Sequence, residues 1–519
     1  MSFSANGIKI LGSPLGTPQY TSRFLSNAID TSIQTMRVLA RAPLLHAQYA
    51  ILQKSVLPQL CYLQRTIPTG DLYTNLANEG LRFDLATRAM VQSFVPHTSL
   101  TDRAWSIATL PCASGGLGLR TFADTADAAY LASYVLARHE LPTLFPDLAP
   151  ALPDPALRNG PPAPTPMAAA AARAHDRLMH IHPGAAADLP SATDPRPSVH
   201  HLQKRISTRV TDAQSARLLA DLPNNRAKAQ YLSHCQDPYT YSALPTCPEL
   251  TFDNKLLPIS IARRLLLPVT PCTCEAHQCV MCTKQTDILG DHSLLCFHDG
   301  NPHRRTLWHD ASYRVWGAML KSVGFSVRIE PSNALLSNSG KRPDLIIHDN
   351  SASSSQTFID FITCVVAKSP NPSRGASLPG AAADAGANEK IDRWRELVYA
   401  QGDSFIPIAQ EDGGCLNQAA LDLFDEAARR AGGSSGERQA FRVFWRQRIA
   451  VANAKGVATT IRHRTPICSG VHWPIQPHHF SNLDFCPPAR PTNTDSQNPR
   501  AAGVTTTDRP PRSPTSEIL

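Results

Sequence analysis

Five of the chain's 13 cysteines fall in one short window, Cys272, Cys274, Cys279, Cys282 and Cys296, and this clustering constrains the fold more than any other feature. A disulfide framework would spread its cysteines through a small secreted domain, so the pattern predicts a metal site in a reducing compartment. Within the window, Cys279-x2-Cys282 is followed after nine residues by His292 and after three more by Cys296. Two cysteines two residues apart grip one Zn²⁺ from a tight turn, and a His-x3-Cys pair completes the tetrahedron from the first turn of a following helix. Cys272, Cys274 and His277 lie close enough in sequence to replace a ligand. Four protein ligands leave no open position, so this zinc is expected to hold the fold and not to do chemistry.

The second constraint is an acid inside an apolar strand. Thr357 to Val366 reads as a strand apolar on both faces, with Asp360 in its middle. A buried carboxylate needs compensation worth several kcal/mol, roughly, and a divalent cation supplies it. Upstream, Arg342-Pro343-Asp344-Leu345-Ile346-Ile347 is a proline-started strand with an acid at its mouth, joined to the first by a polar turn. Adjacent strands of this length bring Asp344 and Asp360 to one end of a hairpin, where they can share one Mg²⁺. Lys390 begins the segment Lys390-Ile391-Asp392-Arg393-Trp394-Arg395, read as a helix in which Lys390 and Arg393 share a face. Glu330, ending the strand-like 325–329, is a further candidate acid.

The rest of the chain frames these two features. With 519 residues it can hold two to four domains. Residues 1–148 read as largely helical, with a break or kink at Pro43, a glycine-rich turn at Gly115 to Leu119 and an alanine-rich helix over 124–138. That turn lacks P-loop spacing, which argues against a phosphate loop. Residues 149–200 are a Pro/Ala-rich linker with a short helix around 168–180, and 201–270 regain a helical pattern closing on Pro268. A second low-complexity insert fills 371–388, and 466–519 reads as a mostly disordered tail. The net charge of +8 permits a nucleic-acid partner without proving one. The N-terminus has no signal-peptide pattern, and no apolar run approaches the roughly 20 residues that span a bilayer, so a soluble, intracellular protein without a membrane partner is expected.

Taken together, Leu289-Gly290-Asp291-His292-Ser293-Leu294-Leu295-Cys296, His303-Arg304-Arg305, Arg342-Pro343-Asp344 and Ile359-Asp360 resemble the C-terminal region of non-LTR retrotransposon polyproteins that carry a restriction-like endonuclease. In that family a reverse transcriptase is followed by a linker, a Cys-Cys-His-Cys knuckle and a PD-(D/E)xK nuclease. The nuclease nicks target DNA, and the new 3′ end primes reverse transcription. Residues 405–414 and the basic segment 438–464 continue the resemblance, the latter with Phe441, Phe444 and Trp445 on one face. Residues 10–16, 57–68 and 110–119 resemble the end of the polymerase palm and its thumb.

The resemblance implies an α/β fold class with this layout: 1–148 palm end and thumb-like helical domain, 149–200 linker, 201–270 helical linker domain, 271–300 zinc knuckle, 301–465 restriction-like endonuclease domain, 466–519 tail. It implies structural Zn²⁺ on Cys279, Cys282, His292 and Cys296, catalytic Mg²⁺ on Asp344 and Asp360, and Lys390 with Arg393 beside them. Arg304, Arg305, Arg442, Arg446 and Arg448 would lie along phosphates. The partners would be target DNA, element RNA and an upstream polymerase in the same or another chain, and the compartment nuclear, or cytoplasmic and nuclear, and not secreted. The chain departs from the family at several points, one of them the insert at 371–388 that separates Asp360 from Lys390. No Tyr-x-Asp-Asp occurs, so it should not copy RNA by itself and looks like the C-terminal portion of a longer element; Ile362 stands where the simple motif places its lysine; and Arg305 replaces a histidine. The rival expectation is a catalytically inactive, zinc-containing, nucleic-acid-binding remnant.

Overall fold

The computed structural model describes residues 6–67, 74–147, 152–155, 165–185, 187, 189, 201–269, 278–279, 282, 284–296, 303–331, 342–348, 356–368, 372–399 and 402–464. Among these the architecture is mostly helical, with a small mixed sheet. The tail expected at 466–519 lies outside the described residues, as do Cys272, Cys274 and His277. Among the described residues, no helix is long and apolar enough to cross a membrane.

The chain begins with an antiparallel hairpin, β1 (Gly7–Ile10) and β2 (Ser13–Gly16). Helix α1 (Pro18–Leu39) starts where Thr17 caps the Tyr20 amide and Pro18 occupies a position that needs no donor. It buries Leu25, Ile29, Ile33 and Met36 at helical spacing. The break expected at Pro43 falls between α1 and α2 (Leu45–Ile51). Helices α3 (Cys61–Thr66), α4 (Thr74–Phe94), α5 (Asp102–Thr109) and α6 (Phe122–Leu144) complete the N-terminal half. The glycine-rich segment before α6 is a turn with Gly115 at φ 79° and Gly118 at φ 68°, conformations that favour glycine. The short helix expected around 168–180 is α7 (Pro166–Ile181), whose alanines pack in one cluster with Tyr130, Leu131 and Tyr134 of α6. Three more helices follow: α8 (Leu202–Asp221), α9 (Asn225–Cys235) and α10 (Leu257–Arg264).

Beyond the short helix α11 (Asp291–Leu295) come α12 (His303–Ser322), β3 (Ser326–Ile329), β4 (Leu345–His348), β5 (Gln356–Cys364), α13 (Pro372–Gly375), α14 (Ala381–Tyr399), β6 (Ser404–Glu411), α15 (Gln418–Arg430) and α16 (Ser435–Arg464). Strands β3, β4 and β5 are antiparallel neighbours, and β5 pairs in parallel with β6 through a crossover containing α14. Strand β5 is apolar on both faces, as its sequence implies. Ile359 and Phe361 pack with Trp316 and Phe424, whereas Phe358 packs with Trp394 and Val398 of α14.

Helix α14 differs from the expectation that Lys390 begins a helix after the low-complexity insert. It begins at Ala381, inside the alanine-rich segment, so Lys390 sits in mid-helix. Alanine is the strongest helix former, and its small side chain lets the helix settle on the sheet. Ala382, Ala383 and Ala387 pack against Cys364 and Ala409. At Gly386 the approach is so close that a Cβ would stand 2.6 Å from Cys364 Sγ. One hydrophobic cluster runs from Leu25 of α1 through α10 to Val451, Val457 and Ile461 of α16, so the N-terminal helices and the last helix share a core.

Candidate metal centre and carboxylate site

The four knuckle residues converge. The ligand atoms of Cys279, Cys282, His292 and Cys296 all lie within 4.8 Å of one another. Cys279 and Cys296 place their sulfurs 3.7 Å apart, and Cys282 Sγ lies 3.2 Å from His292 Nε2. A tetrahedron with Zn–S bonds of about 2.3 Å has sulfur–sulfur edges of about 3.8 Å, so the donor set and its spacing fit Zn²⁺. Burial, with the neighbouring Cys282 and Cys279, pushes the Cys296 thiol up to about 12. A divalent cation reverses that balance because it binds thiolate.

Two groups that sequence reasoning passed over hold the ligands in place. Asp287 accepts the amides of Leu289, Asp291 and His292, fixing the turn into α11. Arg464, at the end of α16, donates to the carbonyls of Ser293 and Cys296, both at 2.8 Å.

Asp291, beside the candidate ligand His292, joins a buried ion network. Arg263 of α10 donates to it at 3.1 Å, to the Leu289 carbonyl at 2.5 Å, to Gln230 at 3.2 Å and to Asp412. Arg226 also pairs with Asp291. Asp412 follows β6, and its side chain is wholly buried. Its amide donates to the Cys364 carbonyl at the end of β5 and its carboxylate accepts from Val366 N. Knuckle, α10 and sheet are therefore tied by one charged cluster. Burial opposes ionisation of Asp412, but Arg263 outweighs it and holds the carboxyl below the usual range.

The second site lies across the β4–β5 hairpin. Leu345 is registered against Ile359, so Asp344, one residue outside β4, comes opposite Asp360. Asp360 Oδ2 accepts from Lys390 Nζ at 2.6 Å and from Trp394 Nε1 at 2.7 Å. Lys390 and Trp394, four apart on α14, reach the same oxygen because that spacing puts them on one face. Asp344 Oδ2 accepts the Phe361 amide at 2.6 Å. Burial and the neighbouring Asp344 charge raise Asp360 to about 6. Burial also opposes the charge on Asp344, but hydrogen bonds from His309 and across to Asp360 keep it low. Two carboxylates that resist ionising together are the donor chemistry a hard divalent cation relieves.

Other expected site residues stand elsewhere. Arg393 is exposed, on the outer surface of α14. Glu330 directly follows β3, at φ 43°, and accepts from Tyr313 Oη at 3.0 Å, while its amide donates to the Asp344 carbonyl. Arg442 pairs with Asp425. Arg446 lies over the rings of Tyr239 and Phe424, and Arg448 lies 3.4 Å from Glu249 and over Phe444 and Trp445. All three therefore have partners within the chain. Arg304 and Arg305 fall in the first turn of α12, with side chains outside the described set. Trp394 and His309 are the site residues the sequence reading missed. The signals were present: a tryptophan one turn after Lys390, and a histidine one turn before Tyr313. Compared with known proteins, the chain matches no family model and no curated sequence.

Proposed function

We propose that this chain is a metal-dependent DNA endonuclease module behind a structural zinc knuckle, derived from a non-LTR retrotransposon and suited to nicking target DNA for target-primed reverse transcription. The observation that carries the reading is the pairing of Asp344 and Asp360 across one hairpin with Lys390 Nζ 2.6 Å from Asp360. The retroelement context rests on the resemblance of the knuckle and acid motifs. On that context the partners are DNA, element RNA and a polymerase module in the same or another chain, and the site of action is the nucleus.

In this reading Asp344 and Asp360 would hold Mg²⁺, which when bound would lower the pKa of a water and offset the charge that builds on the phosphate. Lys390 places a second positive charge at the same edge, where it orients the attacking water or a phosphate oxygen. Trp394 holds Asp360 from the buried side and keeps bulk water from that oxygen. The water oxygen would bond to phosphorus, giving a proton to solvent, as the phosphorus–O3′ bond breaks and the departing 3′ oxygen takes a proton from solvent; this leaves a 5′ phosphate and a 3′ hydroxyl that can prime synthesis.

The test is conversion of supercoiled plasmid to open circles by the purified chain. Wild type with Mg²⁺ should nick, and Asp344→Ala, Asp360→Ala and wild type in EDTA should not. If wild type nicks no faster than either variant, the enzyme reading fails. Salt-sensitive DNA binding in that case would leave the inactive-remnant reading.

A further inference from the structure

Resting on the Mg²⁺ reading of Asp344 and Asp360, we infer that His309 of α12 is the positioning residue that sets the Asp344 carboxylate for cation binding. Nothing in the motif assigns it. Its Nε2 lies 3.3 Å from Asp344 Oδ2 and 3.3 Å from the Phe361 carbonyl oxygen. Both neighbours are acceptors, so Nε2 carries a hydrogen, which it donates to the Phe361 carbonyl while the same nitrogen lies against the Asp344 carboxylate. On the other side of the ring, Nδ1 lies 3.4 Å from Asp310 Oδ1. The result is a carboxylate–imidazole–carboxylate chain ending on the proposed metal ligand.

The ring has little freedom to leave this geometry. It packs edge-on against Tyr313, with centroids 5.4 Å apart, and against Phe361 at 6.4 Å. Tyr313 is in turn tied through its hydroxyl to Glu330, whose amide holds the Asp344 carbonyl. Asp344 is thus gripped at three points: Glu330 N on its carbonyl, and Phe361 N and His309 Nε2 both on Oδ2. With Oδ2 against Phe361 N and His309 Nε2, Oδ1 would be the oxygen that meets a cation shared with Asp360. Partners of this kind, behind a metal ligand, typically account for about 10- to 100-fold in metal affinity.

The experiment is Mn²⁺ binding to the zinc-loaded full chain by calorimetry, with melting temperature recorded without added Mn²⁺. His309→Ala should weaken Mn²⁺ about 10-fold or more, and His309→Gln, which restores an N–H near Nε2, should remain within about 3-fold of wild type. Asp344→Ala should abolish the site. If His309→Ala binds Mn²⁺ as wild type does while Asp344→Ala does not, the positioning role is overturned and the metal site stands. An equal loss in His309→Gln and His309→Ala also overturns it, because the hydrogen bond is then not the cause. If wild type and Asp344→Ala bind Mn²⁺ alike, the Mg²⁺ reading fails and His309 has no ligand to position.

Discussion

Replacing Arg263 with methionine would remove the centre of the charged cluster while keeping most of its apolar stem. Arg263 is 4% exposed and serves Asp412, Asp291, Gln230 and the Leu289 carbonyl. The variant would leave two carboxylates, one of them wholly buried, without their shared cation. Breaking a buried pair in this way costs about 3–5 kcal/mol at neutral pH. The dependence on pH distinguishes this from simple loss of packing. In wild type, Asp412 has a depressed pKa. Its stabilising contribution is present above the unfolded carboxylate value of about 3.9 and is lost only as the pH falls through the lower folded value. Without Arg263, burial raises Asp412, so the folded variant takes up a proton before the unfolded chain does and gains stability on acidification. The gap between variant and wild type should therefore narrow from pH 7.5 to pH 6. Glu411, raised by burial and by the Asp412 charge to about 7, titrates in the same range, so both proteins are compared in a Glu411→Gln background. The measurement is urea unfolding at the two pH values, read as midpoint shifts at a common slope. Arg263→Met/Asp412→Asn should recover more than half of the loss at pH 7.5. A destabilisation below about 1 kcal/mol, or a gap indifferent to pH, would refute the reasoning.

Three further outcomes are expected. Purified chain should carry one zinc by elemental analysis, and Cys282→Ser should lose it and melt at lower temperature; a wild-type preparation far below one zinc per chain would contradict the knuckle. Without Mg²⁺ or Mn²⁺, Asp360→Asn should be more stable than wild type at pH 8, because a carboxyl raised to about 6 in the fold makes stability fall as pH rises from about 4 through 6. Added Mn²⁺ should raise the melting temperature of wild type and leave that of the variant unchanged, and thermal scans with and without Mn²⁺ would check both. Gly386→Val should destabilise by about 1–3 kcal/mol in urea unfolding, since its Cβ would meet Cys364 Sγ at 2.6 Å; a neutral result would mean that α14 does not lie this close to β5.

The knuckle could be read because metal ligation is a spacing rule. Cys-x2-Cys and His-x3-Cys are each local, and their union needs only one turn and one short helix. Asp360 could be singled out because a charge within an apolar strand is a local anomaly, and Asp344 because a hairpin places it opposite. Other features were not legible because they depend on three-dimensional partners. The alanine-rich insert at 371–388 has the composition of a linker, and its helix became evident only once the sheet gave those alanines a surface to cover. Arg263, Asp291 and Asp412 lie far apart in sequence, and no pattern pairs them. His309 reaches Asp344 across the helix–sheet contact, which no periodicity encodes. The basic pattern of Arg442, Arg446 and Arg448 suggested a phosphate track, but a run of arginines reads the same in sequence whatever it contacts, and their contacts with Asp425, Tyr239 and Glu249 depend on the fold.

The central claim is that Asp344 and Asp360 hold one divalent cation between them. Anomalous diffraction from Mn²⁺-soaked crystals of the zinc-loaded chain tests it most directly. The account predicts a Mn²⁺ peak with one oxygen from each carboxylate at about 2.1 Å, a typical hard-cation distance. Its loss in Asp344→Ala crystals should follow. A zinc peak among Cys279, Cys282, His292 and Cys296 with no Mn²⁺ between the two acids at saturating metal would contradict the account.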